Sequence, residues 1–318
     1  MRVRFSKLNG AGNDFVIIAD FVDKLHLKPE QVARICDRHF GVGADGVILV
    51  KTSPRKECVA YMDYYNSDGT KAQMCGNGIR CFTKFLVDNN YVNDSADSFI
   101  VDTLSGPKPI RFKYDVDRIK MTVSVSMGKP ELDAKLIPTT LAASSLPEIE
   151  GNEAFVNALK STYKGAVIEQ PVLEKHPELK VSCVSMGNPH AVCFLNGVLD
   201  SKEQLYADDL MEFGAAIESA SVFPEKTNVE FAYIDEETKE DIYMRVYERG
   251  CGETLACGTG CCATAVAAYL SGRINKRYAK LYVLGGCLII SWEKDLDVQM
   301  IGSARTNFTG ILELKNYR

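Results

Sequence analysis

The feature that most constrains this chain is a short phrase that it contains twice. Cysteine, glycine, a third residue and glycine begin at Cys75 and again at Cys257, 182 positions later (257 − 75), each time where a helical pattern starts. Two further landmarks repeat with offsets of 175 and 174 positions: Gly12 with Gly187, and Gly128 with Gly302. A near-constant offset over three landmarks predicts two copies of one folding unit.

Strand patterns dominate both copies, and helical patterns are few. Alternating or β-branched and aromatic stretches include residues 2–8, 14–20, 46–51, 57–65, 98–103, 110–115, 118–127, 179–186, 190–195, 227–235, 241–248, 280–292, 297–302 and 311–315. Helical periodicity occurs at 28–39 and after each of the two cysteines. The helix after Cys257 is apolar all round, as expected of a helix enclosed by a sheet. We therefore predict an α+β fold of two pseudo-symmetric domains, each a mostly antiparallel sheet wrapped around a central helix.

The repeat also predicts where the domains divide. We place the first at residues 1–128, completed by a C-terminal segment at 304–318, and the second at 129–303. Residues 131–180 interrupt the repeat with a mixture of Pro, Ser, Thr and Glu and one helical stretch at 153–163. We interpret them as an elaboration of the second domain without visible chemistry.

Composition excludes several classes of protein. The net charge of −5 over 318 residues leaves no basic surface for nucleic acid. No apolar run approaches the ~18 residues that a membrane span needs, and the basic N-terminus lacks the apolar segment of a secretory signal. We therefore expect a cytoplasmic protein that binds a small molecule rather than nucleic acid or a membrane, with a homodimer left open.

In that reducing compartment the eleven cysteines are expected to stay free. Five are interpreted as buried packing residues: Cys36, Cys58, Cys183, Cys193 and Cys287. A structural role is favoured over zinc binding for four others: Cys81, Cys251, Cys261 and Cys262. No metal site is predicted, because the C-x₅-C and C-x₃-C spacings differ from the paired C-x₂-C of structural zinc. A G-x-G-x-x-G at 41–46 is excluded as a dinucleotide motif, because it follows a helix and precedes a strand.

A cysteine at the start of a helix is suited to acid/base chemistry. The partial positive charge there favours the thiolate, and N–H groups of a glycine-rich first turn bind anions such as carboxylate. Two such elements suggest one site with a thiol on each side. Inverting a carbon that bears an acidic hydrogen needs a base on one face and an acid on the other, and no cofactor is required.

The sequence resembles a known family, the diaminopimelate epimerases, over nearly the whole chain. The motifs, in order, are KLNGAGNDFVII, RHFGVGADGVIL, YYNSDGTKAQMCGNGIRC, VSMGNPHAV, FPEKTNVEF and ERGCGETLACGTGCCA. The resemblance implies a pyridoxal-free enzyme that interconverts L,L- and meso-diaminopimelate with two cysteines. It also implies an active site in the cleft between the two domains.

The resemblance assigns roles residue by residue. Cys75 and Cys257 match the paired acid/base cysteines. The cradle for the substrate α-carboxylate matches Gly76, Asn77, Gly258 and Thr259. The groups that hold the distal amino-acid end match Asn66, Asn188, Asn228 and Arg249. A substrate contact near the first turn matches Asn13, and polar neighbours of the reacting centre match His190 and Glu248.

Two departures and two alternatives accompany this hypothesis. Some family members place a glutamine contact where this chain has Gly46, and 131–180 looks longer than the usual connector. One alternative is another pyridoxal-independent amino-acid racemase, for example one acting on histidine. The other is a thiol redox or metal-binding protein that uses the many cysteines.

Overall fold

The computed structural model describes residues 1–72, 74–93, 95–149, 152–207 and 210–317. Residues of the sequence motifs that lie outside the described part are Gln73, before the first cysteine phrase, Glu150 and Gly151, in the predicted elaboration, and Arg318. The chain divides into two units, Met1–Ser126 with Ile301–Arg318, and Met127–Met300. Within the described residues, no helix combines the length and apolar character needed to span a membrane.

The first unit is built from short strands and two helices. Its strands are β1 Arg2–Gly10, β2 Asn13–Ala19, β3 Gly46–Lys51, β4 Tyr61–Asn66, β5 Ser98–Val101, β6 Lys108–Tyr114 and β7 Lys120–Ser126, and its helices are α1 Pro29–Cys36 and α2 Gly76–Asp88. Strand β2 pairs with β3 in parallel, and the pairs β1–β2, β3–β4, β5–β6 and β6–β7 are antiparallel.

The second unit follows the same plan with additional elements. Its strands are β8 Val167–Leu173, β9 His176–Ser185, β10 Pro189–Phe194, β11 Asn228–Ile234, β12 Asp241–Glu248, β13 Gly252–Thr254, β14 Tyr278–Val283 and β15 Gly286–Trp292. Its helices are α3 Glu153–Thr162, α4 Gln204–Ala207, α5 Met211–Glu218 and α6 Gly258–Leu270. The last strand, β16 Val298–Glu313, begins here and continues into the first unit, where it pairs with β1 antiparallel before a short 3-10 turn at Leu314–Tyr317.

The pairing pattern of the strands repeats between the units. Strands β1 to β4 pair antiparallel, parallel and antiparallel in turn, and strands β9 to β12 do the same. Each series is followed by a helix of 13 residues with a cysteine at its N-cap, α2 after Cys75 and α6 after Cys257. The internal repeat predicted from the glycine and cysteine offsets is therefore present in the fold.

Both repeated helices are enclosed by strands of their own unit. Helix α2 packs against β1, β2, β3 and β7, and helix α6 packs against β9, β10, β11, β14 and β15. Residues 76–87 of α2 and 260–270 of α6 are buried. Burial on every side explains the apolar, alanine-rich sequence of α6, because such a helix has no face that contacts water.

The structure corrects three details of the sequence interpretation. The stretch 280–292 is a hairpin of β14 and β15 rather than one strand, because Gly286 adopts a φ of 143° at the turn. The stretches 297–302 and 311–315 belong largely to the single strand β16. Cys287 was interpreted as a core residue but is exposed, since the alternation of β15 buries Leu288 and Ile290 instead.

Candidate active site

The first candidate half-site is built around the start of α2. Cys75 is the N-cap residue, with extended backbone angles (φ −132°, ψ 121°), and its Sγ accepts a hydrogen bond from the Gly78 N–H at 3.4 Å. Its carbonyl accepts the first helical hydrogen bond, from Ile79 at 2.8 Å. The sulfur therefore satisfies one of the unpaired N–H groups of the first turn, and the helix dipole favours its thiolate form.

Two amide side chains lie at this cysteine: Asn13 contacts its sulfur, and Asn77 contacts Asn13. The Cys75 thiol donates to Asn13 Oδ1 at 3.6 Å, and Asn77 Nδ2 donates to the same oxygen at 3.3 Å. Asn13 Nδ2 in turn donates to Asp45 Oδ2 at 2.6 Å, which fixes the orientation of the amide. The structure thus brings together Asn13, Cys75 and Asn77, three of the predicted residues, with Gly76 opening the helix between the last two.

The sequence interpretation missed Arg80, which contacts the first turn of α2. Arg80 is fully buried and donates to the Gly76 carbonyl at 3.0 Å, to Asn77 Oδ1 at 2.8 Å and to the Ser303 carbonyl at 3.4 Å. These bonds hold the first turn of α2 and the side chain of Asn77 in place. A cation among the apolar positions of this helix was the available signal, since a buried charge requires specific partners.

Asn66 and Gly46 lie at the edge of the same unit. Asn66 ends β4, and its Nδ2 donates to Thr70 Oγ1 at 3.1 Å within the following turn. Gly46 is its partner in β3. A Cβ at position 46 would lie 2.6 Å from both the Tyr64 ring and the Tyr65 carbonyl, so this chain has no room there for the glutamine contact of some family members.

The second candidate half-site is built around the start of α6. Cys257 is the N-cap (φ −113°, ψ 110°), its Sγ lies 3.4 Å from Thr259 Oγ1, and its side chain is enclosed, with 6% of the residue exposed. Burial raises the pKa of the Cys257 thiol well above its ordinary value, and the carboxylates of Glu248 and Glu230 raise it further. The Thr259 hydroxyl and the Gly260 N–H oppose this shift only in part. Cys257 is therefore held as a thiol.

A buried pair of titratable side chains lies beside Cys257. His190 Nδ1 is 2.7 Å from Glu230 Oε1, and His190 Nε2 is 3.1 Å from Asn188 Oδ1. Neither His190 nor Glu230 has any exposed surface. One ligating atom each of His190, Glu230 and Cys257 lie within 4.8 Å of one another. The structure thus brings Cys257 together with the predicted His190, and with Asn188 through it.

Glu230 is the second residue that the sequence interpretation missed. In β11, Val229 and Phe231 belong to the apolar core of the unit, so the alternation of the strand turns Glu230 toward the other face, where α6 packs. A Cβ at Gly260 would lie 2.5 Å from Glu230 Oε1, so the last glycine of the Cys-Gly-Thr-Gly phrase admits this carboxylate. A charged residue inside the buried strand TNVEFAYID was the signal that the sequence offered.

Glu248, predicted as a polar neighbour of the reacting centre, is hydrogen-bonded to Thr254 rather than to His190. Its Oε1 accepts from Thr254 Oγ1 at 2.5 Å, whereas the partner of His190 is Glu230. Burial raises the pKa of Glu248, and the Thr254 hydrogen bond opposes the shift. The buried Glu230 and the half-buried Glu248 therefore both act against ionisation of the Cys257 thiol.

Hydrogen bonds connect two of the residues predicted to hold the distal end of the substrate, Asn228 and Arg249. Asn228 Nδ2 donates to the Pro189 carbonyl at 2.8 Å, and the Arg249 N–H donates to Asn228 Oδ1 at 3.0 Å. The Arg249 guanidinium donates to the Glu225 carbonyl at 3.1 Å. Asn228 therefore connects the start of β10 with the loop that carries Arg249.

Solved structures of the same fold are distant in sequence. A hydroxyproline epimerase from Agrobacterium vitis matches with a TM-score of 0.63 at 10% identity, covering 98% of this chain and 92% of that one. A phenazine biosynthesis protein of the PhzF family from Bacillus anthracis matches with a TM-score of 0.59 at 14% identity, covering 98% and 99%. Such identities establish the fold alone, and they confirm the predicted strand-rich, two-domain α+β class.

Relatives much closer in sequence are named diaminopimelate epimerase. The protein named diaminopimelate epimerase 1 of Nostoc sp. is 39% identical over 315 residues, covering 98% of this chain and 100% of that protein. The protein of that name from Rippkaea orientalis is 40% identical over 320 residues, covering 99% and 100%. The family model described as diaminopimelate epimerase matches residues 5–132 and 182–307. The chain belongs to the diaminopimelate epimerase family.

Proposed function

We propose that this protein is a diaminopimelate epimerase, an isomerase that interconverts L,L- and meso-diaminopimelate without a cofactor. The observation that carries the proposal is the pair of equivalent helices, each with a cysteine at its N-cap and each enclosed in its own unit. A reaction that removes a proton from one face of a carbon and returns one to the other needs two such groups, and the relatives at 36–40% identity bear this name.

The surroundings of the two cysteines suggest their starting states. Cys75 is half-buried, and its thiol donates to Asn13 Oδ1. Once that proton is lost, the Gly78 N–H and the positive end of α2 stabilise the thiolate. Cys257 is enclosed beside two carboxylates, which suits a thiol. In one direction the Cys75 thiolate takes the α-proton and the Cys257 thiol gives its proton to the opposite face. The reverse reaction starts from the exchanged states.

The first turns of α2 and α6 provide the groups that bind the α-carboxylate. Gly76 and Asn77, and likewise Gly258 and Thr259, place backbone N–H groups at helix starts, where the helix dipole favours an anion. The same groups stabilise the negative charge that develops when the α-proton leaves. Acid/base assistance contributes roughly 10²–10⁴ in rate, so preorganised N–H groups supply much of the remainder.

The second amino-acid end of the substrate requires a different set of groups. The Arg249 guanidinium suits the distal carboxylate, because its fork of donors binds carboxylates in a bidentate manner. The amides of Asn66, Asn188 and Asn228 offer both donors and acceptors for a carboxylate and an ammonium group. A site of this kind rejects analogues that lack the distal charges. We also propose that the enzyme acts in the cytoplasm, where lysine synthesis would use its product.

The test is solvent exchange in a reduced sample from which metal ions and pyridoxal have been removed. Incubated with diaminopimelate in D₂O, the protein should introduce α-deuterium and approach the isomer equilibrium. Cys75→Ser and Cys257→Ser should each abolish epimerisation, whereas Cys81→Ser, at a buried cysteine of the same helix as Cys75, should leave it active. A panel of histidine, lysine and glutamate measures specificity. Exchange of histidine without exchange of diaminopimelate would replace the proposed substrate.

A further inference from the structure

We propose that Glu230, His190 and Cys257 form a binding site for a zinc-class divalent cation, and that the bound ion inhibits the enzyme. The site deepens the proposed function, because it would remove one of the two acid/base cysteines from the reaction. Its three ligands come from three elements, β11, β10 and the N-cap of α6. Spacing along the sequence therefore gives no sign of it.

The ligand chemistry suits zinc more than magnesium or calcium. A thiolate, an imidazole and a carboxylate are the groups that bind Zn²⁺, whereas Mg²⁺ and Ca²⁺ take oxygen ligands. The candidate ligand atoms lie within 4.8 Å of one another. Zn–S near 2.3 Å and Zn–N or Zn–O near 2.0–2.1 Å imply tetrahedral ligand separations of about 3.3–3.6 Å. The three side chains must therefore close by at most about 1.5 Å.

One ligand atom has no competing interaction. Glu230 Oε2 is buried and has no hydrogen-bond partner among the described residues, whereas Oε1 of the same carboxylate contacts His190. A buried carboxylate oxygen without a partner is costly. An ion that takes Oε2 together with one nitrogen of His190 satisfies that oxygen at the expense of one hydrogen bond of the imidazole.

Charge also favours a cation at this position. Glu230 and Glu248 both oppose ionisation of the Cys257 thiol. When Zn²⁺ binds, the S–H bond breaks, the proton leaves to solvent and a Zn–S bond forms. The two positive charges of the ion then offset the thiolate and the Glu230 carboxylate. Cys257 no longer carries a proton that it can give to the substrate, so epimerisation stops while the ion is bound.

The first half-site provides a matched comparison. There the cysteine thiol donates to the amide oxygen of Asn13, which also accepts from Asn77. Neutral amides neither attract a dication strongly nor complete a thiolate–imidazole–carboxylate set. We therefore expect the ion to bind at Cys257 and not at Cys75, although both cysteines cap equivalent helices.

The experiment is a titration of the reduced, metal-free full chain with Co²⁺, followed by displacement with Zn²⁺. Cys251→Ser and Cys287→Ser form the background, because both of these cysteines are exposed. The background protein should develop one sulfur-to-cobalt absorption band with a stoichiometry of one ion per chain. Affinity should fall about tenfold for each unit by which the pH is lowered, since one thiol proton is displaced. Zn²⁺ should inhibit deuterium exchange with a midpoint that matches its Kd from the displacement titration, after correction for competition by Co²⁺.

Three variants test whether the metal ion binds at this site. Thermal denaturation first checks that each variant is folded. Cys257→Ser should abolish the band, and Glu230→Gln should weaken binding by at least about 100-fold, since even partners outside the ligand set cost 10–100-fold. Cys75→Ser should retain both the band and its midpoint. Absence of a one-to-one band in the background protein, or a band that survives Cys257→Ser or requires Cys75, would overturn the proposal. The band is read without substrate, and the epimerase assay runs without metal, so each hypothesis can fail alone.

Discussion

The two glycines at the third helical position of α2 and α6 allow one substitution to be compared in two surroundings. At Gly78 an added Cβ would meet the terminal methyl of Met62 at 3.0 Å, and at Gly260 it would meet Glu230 Oε1 at 2.5 Å. Both cysteines contribute the same neighbour, their own Cβ at 3.3 Å. We predict that Gly78→Ala is tolerated and that Gly260→Ala damages both stability and activity.

The magnitudes follow from what must move. Alanine in place of a helical glycine gains up to about 1 kcal/mol, and the end of the Met62 side chain is flexible, so Gly78→Ala should change the free energy of unfolding by less than about 1 kcal/mol. At Gly260 the carboxylate must retreat by about 0.9 Å (3.4 − 2.5) to reach ordinary contact. This strains its bond to His190, and a hydrogen bond to a charged group is worth about 1.5–3 kcal/mol. After the helix gain of up to about 1 kcal/mol, a net loss of about 0.5–2 kcal/mol remains.

Urea denaturation and initial rates of epimerisation measure the two effects separately. Displacing groups beside a reacting centre by about 1 Å costs on the order of 10²-fold in rate, so we expect that loss in kcat for Gly260→Ala and less than a twofold change for Gly78→Ala. If Gly260→Ala proves as stable and as active as the parent protein, the close approach of Glu230 to α6 is refuted.

Three further predictions concern buried or binding groups. Arg80→Met should lower the free energy of unfolding in urea by about 3 kcal/mol, because the Gly76 carbonyl and Asn77 Oδ1 lose a buried donor; an unchanged midpoint would contradict this role. Arg249→Met should reduce kcat/KM for diaminopimelate by about 10²-fold, and an unchanged value would exclude Arg249 as the group that binds the distal carboxylate. Burial raises the pKa of Cys81 and of Cys193 to about 12 each. The contribution of these two protonated thiols to the free energy of unfolding is therefore complete below the unfolded pKa near 8.5, and it is lost as the pH rises toward 12. Urea unfolding at pH 8 and pH 10 should show stability falling by up to about 1.4 kcal/mol per pH unit for each thiol, and Cys193→Ala should reduce that slope.

Much of the fold could be predicted from the sequence, because the strands and helices depend on local patterns. The strand at 46–51 was predicted with its observed bounds, and the helices after Cys75 and Cys257 were placed by glycine phrases and apolar periodicity. The strand at 167–173 was not predicted. Only Val167 of this strand is buried, so it lacks the alternation that a half-buried strand shows.

The surroundings of the two cysteines could be predicted from the sequence only in part. The residues assigned by the family resemblance lie in motifs that sequence comparison preserves, and their catalytic and binding roles stay predictions. Arg80 and Glu230 were overlooked, because the role of a charged residue among apolar ones can be inferred only when its partners are known. His190 and Glu230 are 40 positions apart in sequence and meet because β10 pairs with β11 in parallel. Periodicity within one segment carries no information on such pairing.

The discontinuity of the first unit has a consequence for synthesis on the ribosome. Its strand β1 is made before the second unit, yet one partner of β1 lies in β16, beyond the whole of Met127–Met300. The second unit is continuous, and domains generally fold as units during synthesis. Strand β1 therefore keeps one edge unpaired until β16 has been made. Such an edge is prone to pair with other chains, so slow synthesis or premature termination after residue 300 should favour aggregation of the nascent protein.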